Sequence, residues 1–558
     1  MTLIKKLLLI GAIAVLIAAA WLWWNRPRTV DMAANAPADA LVYIECNSLL
    51  DVGGSIVNTN AWRELWPLLG AGNPLSGSWL RRVVSWTGIG PTSTVILTRA
   101  QVAAVMLDLG ATEQGQTLTI KPEAAILVET HTSQRRIRPV VEEALKRFAE
   151  TTLPGATMQK RDVSGAEFMV WSASAKDRHI VAAISGSLVI VGNNERAVQA
   201  CLDAQRGLRP GLQGHPELQQ MRQSLGAEQA LGFGFVSAAN AGRLVSAAAP
   251  LVTGTAPNDL RFDQLIAGSA SKLLRGIGWS SRVVQGRIED RYVFLVTPDL
   301  VSRLRPLFQP AERKPEMLKM LPEHVYSMTV YNFEDPLATW KAVQTAMSAQ
   351  LDTLSAIVFT SVFKAALNSY GIDDPEKFLQ TIGPEILTAR LQRDSERSVL
   401  IAPIRDETAL RQFLREQFRL QAESFSYGQL VEIPDKQIGV TLVNGYLVLG
   451  NDMAVRICVE AFRLGQTPVK QLTESAGNSS LSSITTYTRD DERVLNFFRA
   501  IARAEGRAIT ESDELTRKLE ALPYSSTQTA LGEQGLERTT VSSFGQFGNV
   551  VSLLFPDR

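Results

Sequence analysis

The stretch GSLVIVGNNERAVQAC, Gly186 to Cys201, returns in the second half of the chain as GYLVLGNDMAVRIC, Gly445 to Cys458. Each copy reads as a short apolar strand, a Gly-Asn turn and a short helix that a glycine stops, Gly207 in one and Gly465 in the other. Working outward, further segments recur in the same order. AAILVETH (Ala124 to His131) and SVLIAPI (Ser398 to Ile404) each precede a helix with apolar residues at i, i+3, i+4 and i+8. The stripes are Ile137, Val140, Val141, Leu145 and Phe148 in the first helix, and Leu410, Phe413, Leu414 and Phe418 in the second. Upstream, WTGIGP around Gly88 matches SYGIDDP around Gly371. PADALVYIECN from Pro37 matches PEHVYSMTVYN from Pro322, ending on Asn47 and Asn332 and followed by helix candidates carrying Trp62 and Trp340. Downstream, WSSRVVQGRIEDR from Trp279 corresponds to YSSTQTALGEQGLER from Tyr524.

A conserved order of matches predicts a duplicated domain, since a repeat this long exceeds the roughly 20–50-residue periods of solenoids. Within each half, strands such as Met158 to Val163, Glu167 to Ala173 and His179 to Val191 follow one another across Gly, Ser and Asp turns. Such succession favours antiparallel meanders with helices packed on them. The predicted fold class is α+β, with an N-terminal transmembrane helix followed by two tandem, duplicated α+β halves with mainly antiparallel sheets. The divisions are 1–29, a cytoplasmic stub and membrane anchor; 30–310, the first half; 311–321, a proline-rich linker; and 322–558, the second half.

The anchor rests on Leu7 to Trp24, 18 residues without a charge, preceded by Lys5 and Lys6 and followed by Arg26 and Arg28. As a helix the run spans roughly 27 Å, the short end of what a bilayer core requires, and Trp21, Trp23 and Trp24 fall where an interfacial aromatic belt belongs. A cleaved signal peptide is the alternative, with Ala18-Ala19-Ala20 as the cleavage site, but the apolar run exceeds the usual roughly 7–15 residues. The amine, Lys5 and Lys6 place the amino terminus in the cytoplasm and the body outside it. Across 558 residues, 57 Lys plus Arg balance 56 Asp plus Glu, which excludes the basic surplus of a nucleic-acid binder. Three cysteines cannot form a disulfide framework, and four scattered histidines form no metal-ligand spacing.

Several of these segments resemble a family. P-x-D-A ahead of a strand (Pro37 to Ala40), GIDDPEKFL from Gly371, IGPEI from Ile382 and the G-x-L-V-x-G-N turn are similar to those of bacterial envelope proteins grouped by a shared domain of unknown function. The resemblance covers nearly all of residues 30–558 and departs at Gly88-Ile89-Gly90-Pro91, where the second half has the acidic GIDDP. It implies a bacterial source and a membrane-anchored envelope protein, and it carries over no catalytic residue.

The chemistry candidates are few. Glu129 and His131 lie two apart on a predicted strand, so a carboxylate and an imidazole share a face and could form a general base; an exposed strand edge is the simpler reading. His179, His215 and His324 read as solvated loop residues. Cys201 and Cys458 sit at equivalent places on apolar helix stripes and read as buried free thiols. Cys46 reads as a core residue sharing a face with Val42 and Ile44. Gly88-Ile89-Gly90 and Gly232-Phe233-Gly234 lack the remainder of a dinucleotide fingerprint. Arg135, Arg136 and Arg138 read as a solvated helix face, lipid head groups being the alternative. No catalytic, cofactor or metal residue is assigned. The expectation is a non-enzymatic interaction or scaffold module of the bacterial envelope, periplasmic and held on the inner membrane by one span. Its expected partners are the membrane and an envelope protein. The alternatives are carriage of a lipid or another apolar ligand, and a hydrolase with an unrecognised site.

Overall fold

The structure is a computed structural model that describes residues 29–69, 100–114, 117–173, 179–241, 243–244, 272–310, 315–350, 367–393, 397–420, 428–466, 482–504, 508–510 and 512–554. Leu7 to Trp24 and Gly88 to Pro91 lie outside them. No helix of the described residues is long and apolar enough to cross a membrane.

The strands are β1 (Val42–Cys46), β2 (Gln101–Gln114), β3 (Thr117–Glu129), β4 (Thr157–Val163), β5 (Ala166–Ser172), β6 (His179–Ser185), β7 (Leu188–Gly192), β8 (Gly232–Ser237), β9 (Leu274–Val284) and β10 (Arg287–Val296), then β11 (Ser327–Asn332), β12 (Glu385–Arg390), β13 (Ser398–Pro403), β14 (Val431–Ile433), β15 (Ile438–Val443), β16 (Tyr446–Asn451), β17 (Ile484–Thr488), β18 (Ser525–Leu531) and β19 (Gly535–Ser542). They form one 19-stranded sheet in which every pairing is antiparallel. Across the first part the order is β4-β5-β6-β7-β3-β2-β1-β8-β9-β10. Across the second it is β14-β15-β16-β13-β12-β11-β17-β18-β19. The two runs repeat one another from β5 and β14 onward and meet where β10 pairs with β19, Ile288 opposite Ser542 through Leu295 opposite Gly535.

The helices are α1 (Leu49–Val57), α2 (Asn60–Leu65), α3 (Gln134–Thr152), α4 (Glu195–Gln205), α5 (Pro216–Leu225), α6 (Pro298–Leu304), α7 (Pro336–Gln350), α8 (Pro375–Thr381), α9 (Glu407–Phe418), α10 (Asp452–Arg463), α11 (Asp491–Ala504), α12 (Asp513–Glu520) and α13 (Gly545–Leu554). Helix α4 covers one sheet face and α3 the other in the first part; α10 and α9 do the same in the second. Strands β7, β13 and β16 are continuous apolar runs that supply both faces, because they are covered on both sides.

The two stretches Gly186 to Cys201 and Gly445 to Cys458 each form a strand, a turn and a helix. Helices α4 and α10 are capped by Asn194 and Asn451, whose side chains accept from the Ala197 and Ala454 amides. The Gly-Asn-Asn turn of the first copy therefore holds one residue more than the Gly-Asn turn of the second. The extra Asn193 bonds back to β3, its Oδ1 accepting from the Ala124 amide. Cys201 and Cys458 each follow their cap by seven residues and are buried in separate cores. In the second part, Asp374 caps α8 with Pro375 at its first position, and Gly371, at φ +73°, leaves no room for a side chain beside Phe418.

Three particulars differ from expectation. Ile137 and Val141 of α3 are buried and Val140 and Leu145 pack against the same core as expected, but Phe148 is 54% exposed and Ala149, one position on, is buried in its place. On β1 the buried residues are Tyr43 and Glu45, while Ile44 is 41% exposed, so the Val42, Ile44 and Cys46 face is the outer one. Following the strand pairings outward from Asn47 and Asn332 places Trp279 on Thr527, three residues beyond the Tyr524 that the sequence match suggests.

Candidate functional site

The inverted β1 leads to a buried charged group. Tyr43 and Glu45 point to the same face because they are two apart in a strand. The Tyr43 hydroxyl donates to Glu45 Oε2 at 2.6 Å. Arg222, from α5, donates through Nε to Glu45 Oε1 at 3.1 Å and through Nη2 to Oε2 at 2.8 Å. Nη2 also donates to Asp31 Oδ1 at 2.9 Å. Burial alone would lower the Arg222 guanidinium, but the hydrogen bond to Asp31 and the Glu45 charge outweigh it and hold the group above its ordinary value. Burial, followed by the Glu45 charge, raises the Tyr43 phenol well above the usual range.

Asp31 also caps a short 3₁₀ turn, Met32–Asn35, which presses Met32 and Ala33 into the core beside α4. One residue earlier, the Val30 amide donates to Gln101 Oε1 at 2.7 Å, and Gln101 Nε2 donates to the Val30 carbonyl at 3.1 Å and to Asn47 Oδ1 at 3.2 Å. The segment from Val30 to Ala36 is thus a strap bound to the end of β1 and β2.

A second polar group lies where the two parts of the sheet join. Asp290 of β10, 1% exposed, accepts from Trp279 Nε1 at 3.0 Å and from the Gln546 amide at 2.9 Å. Asp490, at the start of α11, accepts from the Ser543 amide at 2.8 Å, and Arg493 Nη1 lies 3.7 Å from its other oxygen. The two carboxylates clamp the connection from β19 to α13, whose helix terminus offers unpaired amides. Burial raises the Asp290 carboxyl above its ordinary range and lowers the Arg287 guanidinium, which donates to the Tyr524 and Val541 carbonyls. Asp290 ends a row of directly opposed residues, Thr388, Thr329, Thr486, Thr527 and Thr540. The Thr329–Thr486 and Thr527–Thr540 hydroxyl pairs are each 3.0 Å apart. The equivalent row of the first part is Ala104, Ile44, Gly234, Trp279 and Tyr292.

The residues singled out from sequence fall elsewhere. Strand β3 ends at Glu129, and His131 sits in a turn at φ +51°. Glu129 accepts from the His131 backbone amide at 2.8 Å, while the imidazole Nδ1 stands 3.9 Å from the carboxylate, too far for a hydrogen bond. The pair closes a turn. His215 precedes α5 and packs against the Phe235 ring at 5.8 Å. His179 opens β6 and His324 is exposed. Arg138 pairs with Glu167 at 2.6 Å, and Arg135 and Arg136 are exposed on α3. All three cysteines are free, and burial pushes the Cys201 and Cys458 thiols up to about 12. Gly232 and Gly234 lie beneath the Trp279 indole, where a β-carbon at either would meet the ring at 3.0 and 3.2 Å. Among the described residues no group of three His, Cys, Asp or Glu could hold a metal ion.

No family model matches the sequence, and no curated protein matches it. Among solved structures, one described as "Structure of crystal form III of TP0453" matches at 12% identity, over 51% of this chain and 90% of that one, with a TM-score of 0.25. That likeness is too slight to carry even the fold.

Proposed function

We propose that this chain is a membrane-anchored, extracytoplasmic scaffold of the bacterial envelope, non-enzymatic, built by duplication of one α+β unit and kin to the envelope proteins its motifs resemble. What supports the reading is the use made of the residues that the two halves share. Gly192 and Gly450 pass close to neighbouring backbone, Asn194 and Asn451 cap helices, and Cys201 and Cys458 fill cores. A site inherited from the ancestral unit would leave polar groups in mutual geometry at matching places, and these places carry turn and packing residues instead. The two polar groups described above have no counterpart across the repeat, and their main hydrogen bonds run to other parts of the fold.

A second reading, binding of an apolar ligand, draws on the outer face of the first half. There Ile44 and Ile126, 41% and 50% exposed, flank Ala104 across three adjacent strands.

Crosslinking in intact cells with mass spectrometry tests the scaffold: reproducible envelope-protein partners are expected. Turnover of an ester, peptide, glycoside or phosphate by the purified protein, abolished by one polar substitution, would overturn it. An export-dependent reporter fused after Arg558 should be active, and activity of a cytoplasm-dependent reporter alone would overturn the topology.

A further inference from the structure

Helix α1 is unusual among the helices of this fold. Its sequence, LLDVGGSIV, is apolar apart from Asp51 and Ser55, yet none of its residues is buried. Leu49 and Leu50 of its first turn are 43% and 46% exposed. A β-carbon added at Gly53 or Gly54 would meet nothing within 4 Å, so no described residue packs against the helix at those two positions. Among the described residues the far end is the held one, where Ile56 and Val57 pack against the cluster of Trp62, Trp66 and Phe498. Ser48 fixes the near end, its Oγ accepting from the Asp51 amide at 3.1 Å. The first turn is therefore a rigid, projecting pair of leucines.

Its position supplies the occupant. Ser48 follows Asn47, whose side chain shares the Gln101 amide with Val30. The start of α1 is thus one glutamine side chain away from the first docked residue of the strap. Between Val30 and the end of the apolar run at Trp24 lie Asn25, Arg26, Pro27, Arg28 and Thr29. Fully extended, that length reaches at most about 20 Å. The strap leaves no slack beyond it, because Val30, Asp31 and Met32 are bound in succession to Gln101, Arg222 and the core.

We propose that the first turn of α1 is a membrane contact: Leu49 and Leu50 enter the outer interfacial layer of the same bilayer that Leu7 to Trp24 spans, so that the body is seated on the membrane at two points and cannot swivel on its anchor. The inference rests on the membrane-anchor reading. A short apolar helix at a bilayer surface buries its apolar side roughly 5–10 Å into the head-group and acyl boundary. Arg26 and Arg28 fall in the intervening chain, where anionic head groups would meet them.

The test uses the full chain reconstituted in phosphatidylethanolamine–phosphatidylglycerol vesicles with brominated acyl chains. A bimane fluorophore is placed by Leu50→Cys in a Cys46→Ser background, and by Leu464→Cys, at a leucine 67% exposed in the other half, as the comparison. Bromolipid is expected to quench the probe at residue 50 by roughly half and that at 464 by less than about a tenth. In the unaltered chain, amide exchange over residues 47–57 should slow in vesicles relative to detergent, which does not depend on any variant folding. Carbonate extraction of the same vesicles separates the two claims. A chain that resists extraction with residue 50 unquenched overturns the contact and leaves the anchor standing. A chain released by carbonate overturns the anchor and this inference with it.

Discussion

Replacing Arg222 by methionine should loosen the first half of the sheet and leave the second half as it was. Methionine keeps much of the side-chain volume and removes the cation, so Glu45 stays buried with only the Tyr43 hydroxyl, at 2.6 Å, to satisfy it. Removing one partner of a buried ion pair costs about 3–5 kcal/mol. With the Arg222 and Glu45 side chains 18% and 7% exposed, the low end of that range, about 3 kcal/mol, is the appropriate figure. At about 1.4 kcal/mol per decade this corresponds to a roughly hundredfold faster exchange of amides protected by β1 and β2. Hydrogen exchange read by mass spectrometry on the detergent-solubilised chain measures it, with peptides over β11 and β13 as the internal reference. Adding Glu45→Gln to Arg222→Met should restore more than half of the lost protection, because the buried charge is then gone. Exchange within about threefold of the parent over β1, or no recovery in the double variant, would refute the claim that the Arg222–Glu45 pair holds the inverted strand.

At acid pH Asp290→Asn should cost about 1–3 kcal/mol, since one amide oxygen must serve two donors, Trp279 Nε1 and the Gln546 amide, that now have an oxygen each. It should also change the pH profile. Burial raises the folded-state pKa of Asp290, so its contribution to stability is full below the unfolded value of about 3.9 and is lost as pH rises through the folded one; melting curves of parent and variant from acid to neutral pH should converge upward, and parallel curves would contradict this. Gly234→Val should destabilise by about 1–3 kcal/mol, seen as a lower denaturation midpoint, because even a β-carbon there meets the Trp279 ring at 3.2 Å. Maleimide should label no more than the half-buried Cys46 in the folded chain and all three thiols in denaturant, given that burial raises the Cys201 and Cys458 thiols to about 12; rapid labelling of either in the folded chain would place it outside the core.

The α+β class and the antiparallel meanders were legible because they are local: β4 turns into β5 at Ser164-Gly165 and β6 into β7 at Gly186-Ser187, and α4 and α10 carry their own caps and stops. The two matching strand–turn–helix stretches were legible for a related reason, since such a unit with a fixed cap keeps a recognisable spelling. What escaped was set at a distance. Alternation along VYIEC cannot say which face is inward when the polar face meets an arginine 177 residues away. Phe148 and Ala149 are adjacent on α3, and periodicity alone does not say that Ala149 is the one buried. Asp290 gave no signal at all, because its partners come from the neighbouring strand and from the first turn of α13, 256 residues later.

The pairing of β10 with β19 has a bearing on how the chain is made. Residue 287 and residue 542 bracket most of the second half, so the border strand of the first half is synthesised long before the strand that completes it. During that interval Ile288, Val293 and Leu295 belong to a ladder with an open side, the kind of template on which another nascent chain can add its own terminal hairpin. Two copies that exchanged β18 and β19 would satisfy every one of these hydrogen bonds and emerge as an interlocked dimer. Truncation before Gly535 should therefore yield a chain that aggregates through its first half even though the second half is the part removed, and a synthetic β18–β19 hairpin supplied in trans should suppress that aggregation.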